Sequence, residues 1–300
     1  MAETTLKRTS LYVSASSPVN LIQAGFYEED CIVYDLEDSV SVAEKDAARL
    51  LIYNAVRYHR PADKYVVIRV NGIYSEFIGE DLEAAVRARP DAIRIPKVEN
   101  GKEVQNISRR IAEIEKAAGI TQGTIKIWCN IESYMGVLNA REIALSDPRV
   151  EAMALGAEDY TAGMGALRTK SGLEIFYARN AVLLACREAG IDALDAVFSD
   201  INDLEGLKDD AALSRNLGFD GKTVLHPRQV DVVNACFAPG EKEVRNAVRI
   251  LETLAEGERL GKGVITLDGS MLDKPVELRA RAVLLKARAA GMKVGGDYLD

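Results

Sequence analysis

Five segments of this 300-residue chain carry polar groups of the kinds that bind metal and move protons: Tyr34-Asp35-Leu36-Glu37-Asp38, Arg69-Val70-Asn71-Gly72, Pro96-Lys97-Val98-Glu99, Asn130-Ile131-Glu132-Ser133 and Gly156-Ala157-Glu158-Asp159-Tyr160. Acids occur in four of the five. Carboxylates converging on one pocket are costly to bury as unpaired anions, so such a set implies a shared cation or a protonated member. With oxygen ligands and two histidines in the whole chain, the expected ion is hard, Mg2+ or Mn2+ in its place, and zinc is disfavoured. Magnesium takes one or two protein carboxylates and completes its shell with water and substrate oxygens, which suits a substrate bearing a carboxylate beside a carbonyl or hydroxyl. Arg69 adds a fixed cationic fork for such a carboxylate or for a developing enolate oxygen.

Each acid alone also reads as a helix cap or a surface ion pair. For Asp38, beside Ser39, and Glu158, beside Asp159, capping or orienting a neighbour weighs as much as direct catalysis. His59 precedes Arg60-Pro61 and reads as a helix-end histidine. His226 follows a strand and could face the pocket, yet two histidines give a Ser-His-Asp mechanism little to work with. Trp128 and Cys129 read as core.

The elements that must position these groups alternate between short apolar runs and longer amphipathic stretches, the pattern of parallel strands crossed by helices. Strands are predicted at Leu11–Ser14, Cys31–Asp35, Tyr65–Val70, Ala92–Pro96, Ile125–Ile131, Ala152–Leu155, Ala193–Phe198 and Thr223–Leu225. Helices are predicted at Ser41–Tyr58, Gly101–Ala118, Gly136–Leu145, Glu174–Ala189 and Asp203–Leu217. Ser41 and Glu44 have capping-box spacing, and Gly119, Gly190 and Gly218 sit where a left-handed residue stops a helix. Eight strands close a (β/α)8 TIM barrel, favoured over an open doubly wound sheet because no GxGxxG turn follows the first strand. The barrel is expected over residues 1–238. Residues 239–300, after Pro239-Gly240, form a C-terminal helical extension with helices at Glu241–Leu260 and Pro275–Ala290.

With 48% apolar and 28% charged residues the chain is globular, not disordered. Lys and Arg number 38 against 46 Asp and Glu, a net charge of −8 that argues against a nucleic-acid surface. Cys31, Cys129, Cys186 and Cys236 lack metal-ligand spacing and read as reduced core thiols. No apolar run approaches the ~18 residues of a membrane span and the N-terminus lacks a signal-peptide core, so a cytoplasmic location is expected.

Taken together, the motifs Tyr34-Asp-Leu-Glu-Asp-Ser-Val40, Ile68-Arg-Val-Asn71, Ile95-Pro-Lys-Val98, Ile131-Glu-Ser133 and Leu155-Gly-Ala-Glu-Asp-Tyr160 are distinctive. Leu217-Gly-Phe-Asp-Gly-Lys222, His226-Pro-Arg-Gln229 and Asp268-Gly-Ser-Met-Leu-Asp-Lys-Pro275 extend the pattern nearly end to end. The chain resembles the magnesium-dependent acyl-thioester lyases of the citrate lyase beta-subunit and HpcH/HpaI aldolase group, which includes malyl-CoA and citramalyl-CoA lyases. The resemblance implies that Glu132 and Asp159 hold Mg2+, that Arg69 and Glu132 bind substrate, and that Glu37 is an acid near it. It also implies that Asp273 is delivered into a neighbouring subunit's site, with the extension as lid and assembly element. One departure is local: where the family carries Phe-Val-Pro-Gly after strand one, this chain has Tyr12-Val-Ser-Ala-Ser-Ser-Pro18.

The implied reaction is cleavage of a 3-hydroxy-acyl thioester, foremost citryl on an acyl carrier protein, to oxaloacetate and acetyl thioester. The implied assembly is a homo-oligomer, within a citrate lyase complex of alpha and carrier subunits. The alternatives are a stand-alone citramalyl-CoA or malyl-CoA lyase, a metal-dependent pyruvate aldolase, and a non-catalytic barrel acting as a binding or assembly subunit. In the tail, Arg279, Arg281, Lys286, Arg288 and Lys293 stand against one acid, Glu277, a stripe readable as a solvated helix back or as a surface for an acidic carrier or CoA phosphates.

Overall fold

The computed structural model describes residues 6–261, 263–292 and 294; Lys293 of the basic stripe lies outside them. Eight parallel strands close a barrel: β1 (Thr9–Ser14), β2 (Cys31–Asp35), β3 (Tyr65–Arg69), β4 (Ala92–Ile95), β5 (Lys126–Ile131), β6 (Val150–Leu155), β7 (Asp192–Asp195) and β8 (Gly221–Val224). Each pairs with its successor, and β8 returns to β1 through Thr9 opposite Lys222. This is a TIM barrel. The helices around it are α1 (Pro18–Gln23), α2 (Lys45–Tyr58), α3 (Ile78–Ala88), α4 (Gly101–Ala117), α5 (Tyr134–Leu138), α6 (Ala140–Ala144), α7 (Ala157–Met164), α8 (Phe176–Ala189), α9 (Leu204–Leu217) and α10 (Val230–Phe237).

Alternation along each strand divides the core in two. Ile32, Tyr34, Ile68 and Ile93 pack outward beneath the helices, whereas Cys31, Val33, Val67, Ala92, Trp128 and Ala154 fill the barrel. A polar cluster lies at the N-terminal end of the barrel, where the pairing of β5 with β6 shifts register at Ile127/Trp128. There Glu151 accepts from Tyr65 Oη (2.5 Å) and Trp128 Nε1 (3.0 Å), while Lys7 pairs with Asp192 at 2.7 Å.

Three local expectations give way, two of them to side-chain competition. Ser41 donates to Glu44 Oε2 (2.9 Å) and caps no backbone N–H, so a 3-10 turn precedes α2; Asn100 and Glu103, on α4, make the reciprocal capping box instead. The helix predicted over Gly136–Leu145 breaks at Asn139, whose amide donates to Glu99 O at 2.8 Å. β7 stops at Asp195 rather than Phe198. Gly190 and Gly218 end α8 and α9 at φ 69° and 113°, as their spacing predicts. The four cysteines are free, and burial pushes the Cys31, Cys129 and Cys186 thiols up, the last to about 12.

Helix α4 is tied to the barrel by a buried pair. Glu115 accepts from both Arg149 terminal nitrogens (3.0 and 2.6 Å) and from the N–H groups of Gly123 and Ile125. Burial alone would raise its pKa, but these donors outweigh it and hold the carboxyl below its usual value. A depressed pKa means stability that is present above the unfolded value and lost as pH falls through the folded one. Glu115→Gln is therefore expected to cost about 3–5 kcal/mol in urea unfolding at pH 7. The gap between variant and parent should narrow below about pH 4; an equal gap at both pH values would contradict the pairing.

The second compact unit takes in Leu6 and the chain from Ala238 onward. In it α11 (Glu241–Arg259) and α12 (Lys274–Ala289) pack through Val244, Ala247 and Leu251 against Ala280, Leu284 and Ala287. A two-stranded hairpin, β9 (Thr266–Leu267) and β10 (Ser270–Met271), joins them. Among the described residues no helix is long and apolar enough to cross a membrane.

Candidate active site

A cavity of about 900 Å³ opens at the carboxyl ends of the strands, lined among others by Ser14, Asp35, Arg69, Glu132 and Asp159. β2 delivers Asp35 inward, and Asp35 accepts the N–H groups of Glu37 (2.9 Å) and Ser39 (3.1 Å), which fixes the turn carrying Glu37. Lys45, buried on α2, donates to the carbonyls of Leu36 and Glu37, both at 2.6 Å, and holds that turn from outside.

Arg69, the last residue of β3, donates from Nε and Nη2 to both Asp35 oxygens (2.6 and 2.8 Å), a bidentate fork. Its Nη1 lies 2.9 Å from Glu37 Oε2 and 3.5 Å from Asp38 Oδ2, and its Cζ stands 4.5 Å over the Tyr12 ring. Asp35 carries a carboxyl that burial would push up and that Arg69 pulls below its normal value. Asp35 and Arg69 thus form a permanent ion pair.

Glu37 accepts from Lys97 Nζ at 2.9 Å, and Lys97 also reaches within 3.7 Å of Asp159. Lys97 sits at φ 53°, a left-handed conformation uncommon for a side-chain-bearing residue and found where surroundings enforce it. Burial raises the Glu37 pKa, and its two cationic neighbours only partly offset this.

Glu132, one residue past β5, is 5% exposed. Oε1 accepts from Asn130 Nδ2 at 2.6 Å, while Oε2 is buried without a partner. Burial, and then the Glu37 charge, push its pKa to about 7. Gly156 makes room for it: a Cβ there would stand 2.3 Å from Glu132 Cγ. Asp159 is in the first turn of α7, half exposed. An orphaned buried oxygen next to a second carboxylate is what a divalent cation would neutralise. Among the described residues no group of three or more His, Cys, Asp or Glu side chains forms a closed metal cage. Glu132 and Asp159 therefore fit an ion that keeps most of its shell for water and substrate.

Of the residues singled out in the sequence, Arg69, Glu132 and Asp159 line this cavity, as do Asp38, Glu158 and His226, and Glu37 adjoins it through Arg69. Asp273 belongs to the C-terminal unit, where it caps α12 by accepting from Val276 N at 3.1 Å. Glu158 accepts from Ser199 Oγ (2.8 Å), and His226 Nδ1 accepts from Arg228 N (3.2 Å) within its own turn. The segment after β1 replaces a glycine turn by hydroxyls: Ser14 donates to Ser39 O (3.0 Å) and Ser17 caps α1. Asp35, Lys97 and Asn130 lie in the polar segments named from the sequence but carry no assigned role there, and Arg94 lies outside those segments; strand alternation, counted inward from the barrel, is the signal that marks them.

Residues 8–227 match the family model described as HpcH/HpaI aldolase/citrate lyase. Citrate lyase subunit beta of Leuconostoc mesenteroides subsp. cremoris is 42% identical over 296 residues, 98% of this chain and 98% of that one. The protein CitE from Mycobacterium tuberculosis, solved with magnesium, acetoacetate and coenzyme A, matches with a TM-score of 0.77 at 30% identity, over 95% of this chain and 98% of that chain. The citrate lyase beta subunit solved with oxaloacetate and magnesium from the same organism matches with a TM-score of 0.67 at 31% identity, over 80% of this chain and 100% of that chain.

Proposed function

Because the chain belongs to the HpcH/HpaI aldolase/citrate lyase family, we propose that it is a magnesium-dependent carbon–carbon lyase that cleaves a citryl thioester to oxaloacetate and an acetyl thioester. The observation that carries this reading is the buried, unpartnered Glu132 oxygen in one cavity with Asp159 and Arg69, the latter paired with Glu37. The magnesium and oxaloacetate recorded with the related mycobacterial beta subunit support it.

Glu132 and Asp159 would hold Mg2+, which supplies Lewis acidity to the substrate's hydroxyl and neighbouring carboxylate. Arg69, locked by Asp35, places positive charge where oxygen charge develops on the departing thioester enolate, with no reorganisation needed at that moment. Glu37 is held by Lys97 and Arg69 with its pKa raised by burial, which makes it a stronger base than an exposed carboxylate and a candidate to take the hydroxyl proton as the carbon bond breaks. Asp273 from a second copy of the chain is the other candidate for this proton; its use requires a homo-oligomer in which the C-terminal unit completes a neighbour's site. Arg279, Arg281, Lys286 and Arg288 of α12 give a carrier protein with an acidic surface a place to dock.

The test is to offer citryl, citramalyl and malyl thioesters, on carrier and on CoA, with and without magnesium, and to identify the released acid. Oxaloacetate, released only with the metal, is the expected product; glyoxylate or pyruvate in its place would move the assignment to the malyl- or citramalyl-CoA lyases, and no release would leave a binding subunit. Gly156→Ala, which drives a Cβ into Glu132, is expected to lower kcat/KM and magnesium affinity by about 10–100-fold while the fold persists. Unchanged magnesium affinity in a calorimetric titration would remove Glu132 from the ligand set.

A further inference from the structure

The floor of the cavity holds a second guanidinium that the reaction above does not use. Arg94, on β4, is 2% exposed and lines the cavity. Its Nε donates to Asn130 Oδ1 at 2.5 Å and its Nη2 to Thr223 Oγ1 at 3.3 Å; Nη1 is buried with no partner. Arg69 is answered by Asp35 and Glu37, but Arg94 makes no ion pair among the described residues, and both its partners are neutral. Burial holds the Arg94 guanidinium below its usual pKa, and Arg69, which shares the Tyr12 ring with it at 4.5 and 5.0 Å, adds a like charge; Glu132 and Asp35 only partly offset the two. A buried cation with an unused donor and no counter-ion is costly in the empty protein. An arriving anion would repay that cost.

We propose that Arg94 is a specificity-determining residue that receives a second substrate carboxylate, the one on the side arm of the oxo-acid half. The assignment rests on the lyase reading, and the chemistry of the three candidate substrates gives it content. Cleavage of a citryl thioester leaves an oxo acid whose carbonyl carbon bears CH2–COO−; a citramalyl thioester leaves methyl there, and a malyl thioester leaves hydrogen. The oxo group and its adjacent carboxylate belong at Glu132 and Asp159, with Arg69 at the thioester enolate oxygen, and the thioester arm must reach the open mouth. The third substituent is left to point down the barrel, toward Arg94, Asn130 and Thr223. A carboxylate there pairs with Arg94 and takes the free Nη1 hydrogen bond. A methyl or a hydrogen leaves the guanidinium buried and unanswered, so the same residue that selects the dicarboxylic product rejects its smaller analogues.

A purely structural role for Arg94 is also imaginable, because Asn130, which it orients, donates to Glu132. The two roles part in substrate selectivity, since damage relayed through Glu132 strikes every substrate alike. The experiment compares the parent enzyme with Arg94→Met and Arg94→Lys, measuring kcat/KM on citryl and citramalyl thioesters of CoA, and oxaloacetate and pyruvate affinity by calorimetry with magnesium present. The parent is expected to favour citryl at least about 100-fold, and Arg94→Met to lose at least about 100-fold on citryl but less than tenfold on citramalyl. Arg94→Lys keeps the charge and loses the fork; a tenfold or greater fall in its citryl-to-citramalyl ratio is expected, which keeps the test decisive if Arg94→Met fails to fold. Equal losses on both substrates, or a parent that cleaves both equally well, would overturn the proposal. A parent inert on every thioester would sink the lyase reading alone: loss of oxaloacetate but not pyruvate affinity in the variants would then sustain the Arg94 assignment, and equal losses of both would end it.

Discussion

Asp159→Asn is expected to remove turnover and magnesium dependence together, with little change in stability. Asp159 lies in the first turn of α7 with its side chain half exposed, so its structural worth is a helix-dipole contribution of about 0.3–1 kcal/mol. Its worth to a bound divalent cation is larger, because Glu132 would be left as the one protein carboxylate on the ion. The expected loss in kcat/KM is about 10³-fold or more, equivalent to roughly 4 kcal/mol of transition-state stabilisation. Rates at a series of magnesium concentrations, with a calorimetric magnesium titration and a thermal melt of the same samples, separate the effects. Undiminished turnover in Asp159→Asn would sink the metal assignment, and a collapsed melt would show that the residue is structural.

The second large effect is at Arg69, where charge and geometry can be pulled apart. Arg69→Met leaves Asp35 buried with two backbone donors and no cation, which should cost about 3–5 kcal/mol in stability as well as activity. Arg69→Lys keeps the charge, and with it most of that stability, but an ammonium cannot make the two parallel bonds at 2.6 and 2.8 Å that aim the group. Activity in Arg69→Lys should still fall by about 10²–10³-fold. Urea unfolding and kcat/KM on the same preparations decide it: a Lys variant that is fully active would show that a positive charge alone suffices at this position.

Both predictions depend on residues whose side chains are interpretable in very different degrees from the linear chain. The acid-rich strand ends were legible because a parallel barrel collects polar groups at one end and the chain marks each strand with an apolar run. Within Asp35-Leu36-Glu37-Asp38 the three acids look alike, yet Asp35 is spent on Arg69 and the turn, Glu37 is held by Lys97, and Asp38 is mostly exposed. What separates them is which way each side chain leaves the barrel wall. Arg94 shows the same limit more sharply: inside Ala92-Ile93-Arg94-Ile95 it reads as a charged residue on a strand surface, and alternation turns it into the closed interior.

By itself the sequence determined the fold, the order of the motifs and the family, because apolar period, strand count and turn residues are properties of neighbours along the chain. Only the tertiary structure decided which carboxylate is paired, which is orphaned and which guanidinium lacks a counter-ion. Arg94 owes its buried, unanswered atom to neutral partners on other strands, and Glu132, whose hydrogen-bond partner Asn130 is two residues away, owes its burial to the space Gly156 leaves beyond β6; barrel closure sets those distances.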